Sequence, residues 1–143
     1  GAMTVKEWLN RSRTIEKELN QLKELKERAY NLAYGSSIDI SSEKVQTSKQ
    51  NSTEDKFVAY ADYSKQVDDI TAKLIRYRGK VLKVINQVDN KTYKMLLIER
   101  YIKCHTWEQV AESIGLKDVR HVYRLHKKAL KSIQSIMTSR SGG

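Results

Sequence analysis

The residues best equipped for chemistry lie between Lys117 and Lys131. Lys117, Arg120, His121, Arg124, Lys127, Lys128 and Lys131 supply long donors, Tyr123 adds a phenol, and Asp118 is the one acid from Lys117 to Arg140. On a helix beginning near Val119, positions 120, 121, 124, 127, 128 and 131 take one face, and Val122, Leu125, Ala129 and Leu130 take the other. Such a helix can bury its apolar stripe and lay its donors in the major groove of DNA. There arginine bonds guanine bidentately and lysine meets phosphate. A basic face with no such task is simply solvated, so the elements that position it decide between the readings.

Those elements read as a helix-turn-helix. Thr106 and Gln109 form a capping box, and Val110, Ala111 and Ile114 make one face of a short helix. Gly115 ends it because glycine takes a left-handed C-cap without steric cost, and Leu116 plugs the turn. Upstream, Asp89 and Asn90 break the chain and cap a helix whose inward face is Tyr93, Leu96, Leu97 and Tyr101. Trp107, beside the cap, either packs on this core, the preferred reading, or lies along the DNA backbone. The small domain is therefore 91–137, three helices, with 138–143 as a disordered tail.

The rest of the chain reads as two long helices. Thr4 with Glu7 is a capping box, with Met3 and Trp8 as a staple. Trp8, Ile15, Leu19, Leu22, Leu25, Ala29 and Leu32 then recur at helical spacing, giving a helix over about 4–34. The stretch 35–53 is polar, without aromatics, and reads as a flexible loop. A second helix over about 54–88 carries two seven-residue series: Tyr60, Val67, Leu74, Val81 and Val88, and Tyr63, Ile70, Tyr77 and Val84. That repeat calls for a coiled-coil partner, either the first helix in an antiparallel hairpin or a second copy of the chain. Arg76, Arg78, Lys80 and Lys83 form a basic cluster on it, either a further phosphate-contacting patch or a solvated face. The fold class expected is all-α, a long N-terminal helical hairpin over 3–90 followed by the helix-turn-helix domain.

Composition agrees. The 143 residues contain no proline and carry a net charge of +10. Residues 1–90 hold 16 Lys or Arg against 13 Asp or Glu, while residues 91–143 hold 11 against 4, so the positive field is centred on the motif. A single cysteine, Cys104, allows no intrachain disulfide and suits a reducing compartment. No apolar run reaches the length of a membrane span. Gly1 and Ala2 resemble a tag remnant before Met3, and a soluble, intracellular protein is expected.

Catalysis is not expected. Cys104 and His105 are neighbours with no acid placed to orient them, so a nucleophile pair is disfavoured. His121 and His126, five apart on one helix, point in different directions and cannot chelate a metal as an i, i+4 pair can. No phosphate-cradling glycine loop appears. No cofactor and no metal are expected.

The stretch LLIERYIKCHTWEQVAESIGLKDVRHVYRLHKKALKSI resembles the fourth region of bacterial primary sigma factors, the helix-turn-helix that reads the promoter's upstream element. Thr106, Glu108, the Ala111 and Gly115 pair, and Lys128, Ala129 and Leu130 carry the likeness. There is one more residue between Gly115 and Val122 than that pattern has. The resemblance implies that Arg120, His121, Arg124 and Lys127 face bases or adjacent phosphates. The order of long helices, polar loop and sigma-like head is also similar to phage late-transcription regulators of the RinA and ArpU kind. It implies an activator of phage or prophage late genes. The function expected is thus a sequence-specific DNA-binding transcription regulator reading the groove with the helix from Val119 to Met137. Double-stranded DNA is its partner, with bacterial RNA polymerase and a second copy, joined through the long helices, as further candidates. Two alternatives are a small-terminase-like DNA-packaging subunit and a coiled-coil interaction factor acting on polymerase.

Overall fold

The computed structural model describes residues 3–35 and 53–142. The protein is all-α, and no strand occurs among the described residues. Helix α1 spans Val5–Tyr30 and closes in a π-turn, Asn31–Gly35. Helix α2 spans Thr53–Ile85. Helix α3, Lys91–Leu97, runs on into a second π-turn, Ile98–Ile102. Helices α4, Trp107–Ser113, and α5, Val119–Gly142, complete the chain. Most of the expected loop 35–53 lies outside the described residues. Its two ends are helical, Gly35 in the π-turn and Thr53 as the first residue of α2.

The chain divides into two compact units, residues 15–73 and residues 1–14 with 74–143. Within the first, the two long helices pair antiparallel, for Tyr30 meets Tyr60 while Tyr34, further along α1, meets Phe57, earlier in α2. Ile15, Leu19, Ala29 and Val67 are buried there, as the heptad pattern requires. The intrachain hairpin is therefore the pairing adopted by the first helix and the seam of the second. Leu25 and Leu32, assigned to the same stripe, are exposed instead.

The second unit holds the helix-turn-helix, and it is larger than the segment 91–137. Leu9 of α1 and Val81, Val84 and Ile85 of α2, with Val88 just beyond, lie in one core with Leu96, Leu97, Tyr101, Val110, Ala111, Val122, Ala129 and Ile133. Ser12 is fully buried beside them and its hydroxyl donates to the carbonyl of Tyr101 at 2.7 Å and of Leu9 at 3.0 Å. Tyr77 donates to the carbonyl of Trp8 at 2.7 Å. The heptad residues near the end of α2 thus serve the head's core. Residues 138–142 also depart from the expected tail. They continue α5, because nothing in Thr138–Ser139–Arg140 breaks a helix and Gln134 donates to the Thr138 hydroxyl at 3.3 Å.

Candidate nucleic-acid interface

The turn that sets the angle of α5 is built from local chemistry. The Thr106 hydroxyl accepts from the Gln109 backbone amide at 3.1 Å and Gln109 Oε1 accepts from the Thr106 amide at 2.8 Å, a full capping box on α4. At its other end Gly115 has φ +81, the Leu116 amide reaches back to the Ala111 carbonyl at 2.8 Å and the Gly115 amide to Glu112 at 3.2 Å. This is a Schellman closure, and half-buried Leu116 packs on the core beyond it. Asp118 then caps α5, accepting from the Arg120 amide at 2.9 Å.

Helix α5 divides cleanly by face. Val122, His126, Ala129 and Ile133 are buried, while Arg120, His121, Arg124, Lys127, Lys128 and Lys131 are exposed. At about 100° per residue, Arg120, Arg124, Lys127, Lys128 and Lys131 fall within an arc of roughly 100°, with His121 at its edge. Lys117 is exposed in the turn that leads into the helix. Tyr123, 45% exposed, lies toward the opposite edge, and its ring meets Trp107 edge to face at 5.4 Å.

One member of the stripe is already engaged. The Arg120 guanidinium lies 3.2 Å from Asp118 Oδ2 and 3.5 Å from Oδ1. The bond from the Arg120 amide, aided by the side chain, holds the Asp118 carboxyl below the usual carboxylate range. The pair is exposed, so it fixes the direction of the fork more than it stabilises the fold.

Behind the stripe sits a polar core that sequence reading missed. Tyr101 and His126 are buried, with the hydroxyl 2.6 Å from Nε2. Burial pushes the Tyr101 hydroxyl up to about 12 and the His126 imidazole down to about 4, with Lys6 and Arg100 adding to the latter. At neutral pH the ring is therefore uncharged, and its tautomer sets the direction of the bond it shares with the phenol. Trp107 closes over His126 at 4.7 Å, with the Arg100 guanidinium over its own ring at 4.1 Å. Its packing on the core is as expected from sequence.

Glu99 corrects a further expectation. It is only 7% exposed and accepts from Lys103 at 2.8 Å, His105 Nδ1 at 2.7 Å and the Ser113 hydroxyl at 3.0 Å. The Lys103 bond most of all holds its carboxyl low, followed by the His105 and Ser113 bonds, against burial that pushes it up. An acid does orient His105, then, because the π-turn carries Glu99 inward. The Cys104 thiol, at a left-handed φ of 59, keeps company with Arg78 Nη2 at 3.5 Å instead. Lys103, four residues after Glu99, was a local signal for part of this network. His105 and Ser113 meet Glu99 only through the turn and α4. Among the described residues no group of three metal-ligating side chains gathers. No helix is long and apolar enough to cross a membrane among them.

With this geometry in hand, comparison adds one result: the family described as "Protein of unknown function (DUF1492)" matches residues 34–134. The chain belongs to the DUF1492 family. The match takes in α2, α3, α4 and most of α5, so all of the basic stripe lies within the DUF1492 region. No curated protein and no solved structure matches the chain.

Proposed function

We propose that this DUF1492 protein is a sequence-specific DNA-binding transcription regulator, an activator of phage or prophage late genes that acts in the bacterial host's cytoplasm. The observation that carries the reading is the division of α5. One face is locked into a core by Val122, Ala129 and Ile133, and the other presents five Lys or Arg side chains in one arc. In a helix-turn-helix the first turns of the second helix meet base edges and the flanks meet phosphate. Arg120, His121 and Arg124 hold the base-reading positions here, and Lys117, Lys127, Lys128 and Lys131 the backbone. Tyr123 serves at the margin of the contact, braced by Trp107. The link to late genes rests on the resemblance to sigma region four and to the RinA and ArpU regulators. RNA polymerase is a further candidate partner, and so is a second copy joined through the long helices, because one such head binds a single half-site weakly.

The deciding experiment is titration of the full chain against a fragment of its own genome's regulatory region, with scrambled competitor and increasing salt. Binding that survives competitor supports the reading, and binding that ignores sequence and vanishes at moderate salt overturns it. Arg124→Ala is expected to remove the preference for the specific fragment. Lys131→Ala should weaken specific and scrambled DNA alike and lower the salt slope by about one.

A further inference from the structure

Outside the reading face, α3 and its π-turn leave an open groove of about 630 Å³, lined by Lys91, Lys94, Met95, Ile98, Lys103 and Ser113, with Glu99 in its wall. None of the residues from Lys117 to Lys131 lines it. Met95 and Ile98 are one helical turn apart, and Met95 is 46% exposed, a large flexible apolar side chain left in water. Lys91 and Lys94, also a turn apart, line the groove with them, as does Lys103, whose ammonium is paired with Glu99. The one acid in the groove is consumed internally, since Glu99 already accepts from Lys103, His105 and Ser113. The groove is therefore an apolar floor with a positive rim. The π-turn in its wall is a backbone form that recurs at functional sites.

We propose that this groove is a docking surface for an amphipathic, acidic helix of a partner protein. The apolar face of that helix lies on Met95 and Ile98, and its carboxylates meet Lys91 and Lys94 at the rim. Nucleic acid fits less well, because a phosphate backbone has nothing to place on Met95 and Ile98 and would leave them wet. The surface is separate from the DNA-reading face, so it stands or falls independently of the function proposed above.

The test uses the full chain and two labelled helical peptides with one shared leucine stripe, one carrying glutamate elsewhere and the other lysine, alongside a labelled duplex. The glutamate peptide is expected to bind at least about tenfold tighter than the lysine peptide. Met95→Glu, and separately Lys91→Glu with Lys94→Glu, should each reduce that binding about tenfold or more while the duplex titration and the thermal melt stay as in the parent. Equal binding of the two peptides overturns the proposal, as does parental peptide binding by both variants. Variants that lose duplex affinity and keep the peptide would make the groove a nucleic-acid contact and overturn it equally.

Discussion

His126 sits on the inner face of α5, buried and hydrogen-bonded to the Tyr101 hydroxyl. Its imidazole is depressed to about 4 in the folded chain against an ordinary 6.5. As pH falls the unfolded chain takes up this proton first, so the stability it contributes is present above pH 6.5 and is lost as pH falls toward 4. Between pH 6.5 and pH 5, above the carboxylate range, the loss is about 1.5 kcal/mol. Urea unfolding at those two pH values should show it in the parent. His126→Phe should lower stability at neutral pH, by leaving the Tyr101 hydroxyl unpartnered, yet remove this contribution to the slope. An unchanged slope would mean that the ring is solvated in the native state. Residue-scale chemistry of this kind was invisible in the sequence, because His126 and Tyr101 are 25 positions apart and only the fold brings the second π-turn and α5 together. The exposed donors were legible for the opposite reason: they need no partner, and spacing alone places them.

At the scale of the element, the helix-turn-helix is held by its turn. Gly115→Ala meets no neighbouring atom, but places a side chain on a φ of +81. The expected cost is about 1 kcal/mol, read as an earlier denaturation midpoint, and Gly115→Asn should cost less because asparagine tolerates the left-handed region. Thr106→Ala removes one half of the capping box and should likewise cost about 1 kcal/mol. Both turn and cap were readable from sequence because each is closed by residues within five positions. The π-turn at Ile98–Ile102 was not, since no local residue type demands it, and with it went the position of Glu99. The heptads of α2 revealed which face is buried, but not that Val81, Val84 and Val88 face the head's core, for a seam looks the same whatever covers it.

At the scale of the molecule, that last point decides what can fold alone. Read from sequence, the head began at Lys91, after the break at Asp89 and Asn90. In the structure the compact unit takes in residues 1–14 and 74–90 as well. Leu9, Val81, Val84, Ile85 and Val88 are all within its core and almost wholly shielded from water. Each such side chain contributes about 1.5–3 kcal/mol when buried, so the set is worth on the order of 10 kcal/mol. Whole domains are stable by only about 5–15 kcal/mol. A fragment of residues 91–143 should therefore lack cooperative unfolding, retaining some helical circular dichroism but no calorimetric transition, while the full chain melts sharply. The DNA binding proposed for the full chain should be lost with it, because α5 presents its basic arc only while Val122, Ala129 and Ile133 are held. A cooperative transition in the 91–143 fragment would return the boundary to Asn90 and make the ends of the long helices an accessory to the head.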